Sequence, residues 1–303
     1  MKMETWGSGL DMDYQDIVWE GDVCIVKGVR HFHPARIFEC GQCFRFEEVD
    51  GVYQIVAYRR RLFLERRGRD VAAYPCTPED FEQIWKDYFD LGRSYEQLCA
   101  GLAEDERLKE GICYGEGLRI LRQQPFETLV SFIISANNNI GRIRGIVGRL
   151  CERYGDLLED DYGTYYAFPE PWQLAAVTQE DYREIGAGYR AVYLAKTVEQ
   201  VVGGKDLERI RSLNYAEAKR ELLAFPGVGP KVSDCILLFA YGFGRAFPVD
   251  VWVRRSMQAY LGGDATEDEI RQYAFRRFRE VAGLAQQYLF FYERARKRKK
   301  GGA

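Results

Sequence analysis

The chain has 303 residues, 47% hydrophobic and 29% charged, ordinary proportions for a soluble globular protein with length for one large domain or two ordinary ones. No run approaches the roughly 18 consecutive apolar residues of a membrane span; the longest, near Leu129–Ala136 and Cys235–Gly242, suit buried helices. A net charge of −3 argues against a general DNA coater and leaves local charge to decide partners.

In chain order, Met1 to Asp13 has no basic region followed by an apolar block, so no signal peptide is expected. A cytoplasmic location follows, nucleoid-associated in a bacterium. From about Val18 to Tyr74 the pattern is that of strands. Val23–Val26, Val52–Tyr58 and Arg61–Glu65 are rich in β-branched and aromatic residues, with glycine turns between such segments. Thr77-Pro-Glu-Asp80 changes the register: a threonine cap, proline at the first helical position and acids next start a helix. Amphipathic segments then follow at 81–91, 94–104, 126–135, 140–154, 189–202, 215–224, 231–241, 251–260 and 267–296. Strands first and helices after predict an α+β fold, an N-terminal antiparallel sheet domain over 10–76 and a mostly helical region over 77–300.

Two charge clusters stand out. Arg142, Arg144 and Arg149 gather mid-chain, and Arg294, Arg296 and Lys297–Lys300 form a basic tail, better read as a solvated end than as a phosphate contact. Of eight cysteines, only Cys40 and Cys43 have C-x-x-C spacing, and the only histidines are His31 and His33. No structural zinc site is expected, and free thiols are the plain reading.

The most informative stretch is Leu222–Cys235, where an apolar helix runs into Phe225-Pro-Gly-Val-Gly229 and a second helix begins near Pro230. Gly227 and Gly229 allow a tight hairpin and let main-chain N–H groups, with Val228 between them, approach an anion. The helix behind adds its positive end. This predicts a clamp on the phosphate backbone that needs no base contact; the plain alternative is a loop between two core helices. Lys231 lies in the first turn of the second helix, where the dipole disfavours the charged ammonium. A neutral amine there can attack a sugar carbon and form a Schiff base, though a surface lysine on phosphate fits the spacing too. Nineteen residues on, Phe247-Pro-Val-Asp-Val251 places Asp250 before a helical run. It is an N-cap at least, and as a charged cap it can stabilise a cationic sugar or assist proton transfer. Cys235 is four residues past Lys231 and shares its face. Gln286 and Phe290 are also four apart, so one can read a base edge while the other stacks on its face; an ordinary surface and core pair is the alternative.

The hairpin, Lys231 and Asp250 resemble the helix-hairpin-helix DNA glycosylase superfamily. Gly41–Arg45, Ser135–Ile140, Gly188–Arg190 and Ala285-Gln286 with Phe290 narrow the resemblance to the 8-oxoguanine DNA glycosylase/lyase branch, in its eukaryotic-like form, over about residues 15 to 295. The resemblance implies a helix-hairpin-helix at 215–241. It implies Lys231 as nucleophile and Asp250 as stabiliser of the developing charge. The Gly41 carbonyl would accept the N7 hydrogen that 8-oxoguanine has and guanine lacks, Gln286 would read the Watson–Crick edge, and Cys235 and Phe290 would sandwich the ring. Asn137, Arg142 and Arg190 would hold the orphaned cytosine and Tyr189 would wedge into the stack. Gly227, Val228, Gly229 and Trp252 would meet the DNA backbone. Trp252 departs from the family, where a histidine binds phosphate at that place. No cysteine follows Cys235, so the four-cysteine cluster of iron–sulfur relatives has no counterpart. No cofactor is required, and the resemblance leaves room for a monovalent or divalent cation at the hairpin 225–229 on DNA. The expected partner of a monomer is duplex DNA carrying 8-oxoguanine. Two rivals are a related glycosylase for another oxidised base, opposed by the Gly41, Gln286 and Phe290 set, and a non-catalytic DNA-binding module, opposed by Lys231 with Asp250.

Overall fold

The computed structural model describes residues 12–300, with the side chains of 297–300 left aside, so the basic residues Lys297–Lys300 of the tail lie outside the described side chains. Six antiparallel strands form the N-terminal sheet: β1 Asp16–Glu20, β2 Val23–Lys27, β3 Phe46–Val49, β4 Val52–Ala57, β5 Arg60–Arg67 and β6 Asp70–Tyr74, in the order β1-β2-β6-β5-β4-β3. Along β4 burial alternates strictly, with Tyr53, Ile55 and Ala57 inward, as one covered face requires. That face is covered by a short helix, Pro34–Phe38, whose Phe38 ring stacks 5.6 Å from Tyr53. Phe81, Trp85, Tyr88, Phe89 and Leu121 complete the same core.

Thr77 accepts the Asp80 N–H at 3.0 Å, the cap that the sequence predicts. The helix behind it runs through a wide turn at Phe81–Trp85 and stops at Tyr88, short of the predicted Leu91. A second core lies in the helical body around Leu129–Ile134, Ile146, Leu150, Leu194, Ile236 and Tyr288. Arg119 and Asp13, both fully buried, form an ion pair at the seam. Arg119 also donates to the carbonyls of His31 and Asp90, each at 2.8 Å, so both charges have the partners that burial demands.

Two parts of the helical body differ from expectation. The predicted helix 267–296 is two: Glu267–Phe278 and Ala282–Lys300, parted by a turn at Arg279–Val281 where Arg279 has φ +50°. The break seats Gly283 against the loop before Asp250. Its N–H reaches the Gly244 carbonyl at 2.7 Å, and a Cβ there would lie 2.4 Å from Leu238. Apolar residues continue across the turn, so their spacing does not show it. The stretch after Tyr154 holds a hairpin, β7 Leu157–Asp160 and β8 Gly163–Tyr166, tied to the sheet by Arg61 on Asp160. No helix among the described residues is long and apolar enough to cross a membrane.

Candidate active site

The two hairpin helices are Tyr215–Leu223 and Pro230–Phe239. Asn214 caps the first through the N–H groups of Ala216 and Glu217, at 3.0 and 3.1 Å. Between them Gly227 has φ +81°, and a Cβ on it would sit 2.8 Å from the Tyr193 ring; both conformation and close approach require glycine. Gly229, which caps the second helix, faces open space. Val228 is buried and anchors the turn. Asp234, fully buried in the second helix, accepts from Tyr215 at 2.6 Å, Lys219 at 2.7 Å and Arg271 at 2.9 Å. The sequence reading missed it, although an acid inside an apolar helix is itself a signal of buried partners. These bonds lock both hairpin helices to the helix Glu267–Phe278.

Lys231 opens into a cavity of about 620 Å³ whose wall also includes Gly41, Cys235, Asp250, Trp252, Gln286 and Phe290. All seven were singled out from sequence, and the fold brings them together from four separate segments. The Lys231 Nζ lies 5.4 Å from the centre of the Phe132 ring. Asp250 caps the helix Val251–Leu261 and accepts the N–H groups of Trp252 at 3.0 Å and Val253 at 2.8 Å. Both amides meet the same oxygen, Oδ1. Burial raises the Asp250 carboxyl above its ordinary range, while the Val253 amide, the Lys231 charge and the Trp252 amide pull it back. Burial pushes the Cys235 thiol up to about 11 against the opposing charge of Lys231. A thiol held neutral is an apolar contact, not a nucleophile.

Gln286 is buried and its Oε1 has no hydrogen-bond partner. Such a group costs about 1–3 kcal/mol in a protein interior, a cost repaid when a ligand supplies the donor. Phe290 is partly exposed, with the Arg294 guanidinium 5.3 Å from its ring centre. Gly41 has φ +84°, and a Cβ there would press on Phe290 and Arg294 at 3.2 Å. Ser135 and Asn138, from the string Ser135–Ile140, also line the cavity, as do Gln287, which was not foreseen, and Arg294, which was expected in a solvated tail; the last two lie on the face of the helix that carries Gln286 and Phe290.

The four residues expected to meet the opposite strand lie beside the cavity rather than in its wall. Asn137 is exposed with φ +49°, one residue before Asn138 and Asn139 in the cavity lining. Tyr189 is 55% exposed and its hydroxyl donates to the Ala136 carbonyl at 3.2 Å. Arg190 is buried and donates to the carbonyls of Ala136 and Asn137, each at 2.8 Å. Arg142 is exposed, with one contact to the Gly186 carbonyl at 3.4 Å. Among the described residues no group of three His, Cys, Asp or Glu side chains is placed to hold a metal ion.

A hairpin between two helices, with a lysine in its second helix and a carboxylate on the facing cap, defines the helix-hairpin-helix class of DNA repair glycosylases. Comparison with known proteins agrees. The family described as "8-oxoguanine DNA glycosylase, N-terminal domain" matches residues 24–129, and "HhH-GPD superfamily base excision DNA repair protein" matches residues 130–280. A probable N-glycosylase/DNA lyase of Methanothermobacter thermautotrophicus is 32% identical over 237 residues, 71% of this chain and 74% of the relative. An N-glycosylase/DNA lyase of Arabidopsis thaliana is 31% identical over 276 residues, 84% of this chain and 76% of the relative. The crystal structure of Clostridium acetobutylicum 8-oxoguanine glycosylase/lyase, in complex with double-stranded DNA containing cytosine opposite 8-oxoguanine, superposes with a TM-score of 0.92 at 42% identity, covering 94% of this chain and 100% of that one. The chain belongs to the HhH-GPD superfamily of base excision DNA repair proteins, in its 8-oxoguanine DNA glycosylase branch.

Proposed function

We propose that the protein excises 8-oxoguanine opposite cytosine from duplex DNA and then cleaves the strand at the abasic sugar. The observation that carries this is the single cavity of about 620 Å³ in which Lys231, Asp250, Cys235, Gln286, Phe290 and Gly41 meet. Relatives of the same build are named N-glycosylase/DNA lyase, and one structural neighbour is complexed with DNA holding cytosine opposite 8-oxoguanine.

The base must leave the stack to reach this cavity, at a cost of a few kcal/mol that pocket contacts offset. Cys235 and Phe290 take its two faces. Gln286 Oε1 accepts from its Watson–Crick edge, and the Gly41 carbonyl accepts N7–H. Guanine would present a lone pair to that same carbonyl, so one contact separates lesion from normal base. The Lys231 Nζ then bonds to C1′ as the bond from C1′ to N9 breaks, its electron pair leaving with the base. Asp250 balances the positive charge that grows on the sugar. The amine gives up its protons, the sugar ring opens with O4′ protonated, and C1′ is left as an imine on Lys231. Loss of a proton from C2′ expels the 3′ phosphate, and water releases the lysine.

Asn137, Arg142, Arg190 and Tyr189 serve the orphaned cytosine and the gap left in the stack. Gly227–Gly229 and Trp252 serve the backbone. A cation at the hairpin 225–229 would be held by main-chain carbonyls, the hard oxygen donors such an ion takes, although that of Phe225 already accepts the Val228 N–H at 3.1 Å. No chemical step runs through it.

Borohydride reduction on a duplex with 8-oxoguanine opposite cytosine tests the proposal. A covalent protein–DNA adduct is expected, lost in Lys231→Gln. Wild-type protein giving neither adduct nor free base would refute it.

A further inference from the structure

The carbonyl assigned to N7–H belongs to the peptide joining Gly41 to Gln42, and side chains hold the peptides on both sides of it. Before it, the Cys40 carbonyl accepts from Gln287 Nε2 at 2.8 Å. After it, the Gln42 carbonyl accepts from Gln123 Nε2 at 2.8 Å. The Gln42 side chain is fully buried and meets three more main-chain groups. It donates to Ile37 at 2.8 Å and Arg119 at 2.7 Å, and accepts the Leu121 N–H at 2.9 Å. Gln123 is anchored in turn, its N–H on the carbonyl of Phe239 at 2.7 Å, the end of the lysine helix.

A peptide plane turns over by opposite changes in the dihedrals flanking it, and a glycine flank makes that turn easiest. Gly41 is such a flank, at φ +84°. The neighbours held on either side fix the axis about which this plane turns, and the Gln42 N–H of the same plane meets the Cys40 thiol, so the Gly41 carbonyl is held pointing the opposite way. Gln287 reaches the cavity wall, but its amide nitrogen is committed to Cys40. It also comes from the helix that carries Gln286 and Phe290. One bond thus fixes the reading carbonyl relative to the edge reader and the stacking ring.

We propose that Gln287 is a positioning residue for damage discrimination: through Cys40 it sets the direction of the Gly41 carbonyl, with Gln123 and the Gln42 side chain fixing the far side. This rests on the reading of the site given above. Without the Gln287 donor the carbonyl wavers and the N7–H contact weakens, while attack at the sugar carbon is untouched.

Gln287→Met keeps length and volume but has no donor. Single-turnover rates are measured on a duplex with 8-oxoguanine opposite cytosine and on one with a preformed abasic site opposite cytosine. Base excision is expected to fall about tenfold or more, with strand cleavage at the abasic site within about twofold of wild type. Gln287→Glu donates only when its carboxyl is protonated, so its excision rate, relative to wild type at each pH, should recover as pH falls. Equal losses on both substrates, no loss on either, or a glutamate variant without that recovery would overturn the proposal. Wild-type protein that cuts the abasic duplex but leaves 8-oxoguanine would instead refute the substrate reading, before any substitution is made.

Discussion

The cavity wall and the rim beside it share one loop, Ala136–Asn139, yet they hold their polar groups in opposite ways. In the wall, Gln286 Oε1 is fixed by burial and has no partner. On the rim, Arg190 spends its guanidinium on the carbonyls of Ala136, Asn137 and Ala187, and the Tyr189 hydroxyl also sits on Ala136. On the reading proposed above, a base in the cavity that reaches Gln286 Oε1 adds a hydrogen bond that the protein lacks. A ligand at the rim exchanges one hydrogen bond for another, and exchange yields little net free energy. The lesion should therefore be selected more strongly than the base opposite it.

Lys231→Gln is the largest test of the wall. Loss of a covalent nucleophile costs several orders of magnitude, roughly 10³-fold or more in excision rate, and imine trapping should vanish. Asp250→Asn comes next. Its amide oxygen can still accept the Trp252 and Val253 N–H groups, so the cap survives while the charge is lost. Excision should fall about 10²- to 10³-fold, with the melting temperature unchanged or higher. The sign follows from burial, which raises the Asp250 carboxyl in the folded state. A raised carboxyl contributes stability below its unfolded value, and that contribution is lost as pH rises through the folded value. At neutral pH the carboxylate therefore adds no stability for asparagine to remove. For the same reason the acid limb of the wild-type activity profile should lie above the ordinary aspartate range. A limb at or below that range would break the link between burial and the charge of Asp250.

Much of the wall was legible in sequence because its parts announce themselves locally, whereas Gly41 and Trp252 were reached through the family resemblance alone. Pro-Gly-Val-Gly marks the hairpin, a first-turn lysine follows, and an aspartate precedes a helix. Gln286 and Phe290 share a helical face. What escaped was the support behind these parts. Gln287 and Cys40 are 247 residues apart, and no spacing rule pairs a glutamine with a remote carbonyl. The turn at Arg279 escaped because the apolar pattern runs on across it, and the hairpin Leu157–Tyr166 because its strands are short and largely exposed. The sheet was legible as strands but not as an order: β6 lies between β2 and β5, a pairing set by tertiary packing rather than by local signals.

Gln286→Leu sharpens the comparison from the stability side. It removes a buried acceptor that nothing satisfies, so the melting temperature should hold or rise. Excision of 8-oxoguanine should fall by about 10- to 100-fold, the equivalent of one lost hydrogen bond of 1–3 kcal/mol. Cleavage of a preformed abasic site should be spared, since no base edge remains to be read. A fall in melting temperature would mean that the wall is not waiting for a donor at this place.

The rim yields the smallest effects, and its two arginines should separate. Arg190 is buried and braces the loop, so Arg190→Gln should lower the melting temperature together with the preference for cytosine. Arg142 is exposed and its guanidinium reaches the Gly186 carbonyl only at 3.4 Å. Arg142→Gln should leave stability within about 0.5 kcal/mol. It should lower the excision ratio for cytosine over the other opposite bases by about tenfold, the low end of what one side-chain contact to a base supplies. The measurement is a panel of four duplexes differing only opposite the lesion. If Arg142→Gln destabilises as Arg190→Gln does, both arginines are braces. If neither changes the ratio, the rim reads shape rather than the base, and the contrast with the wall lies in what is recognised rather than in how strongly.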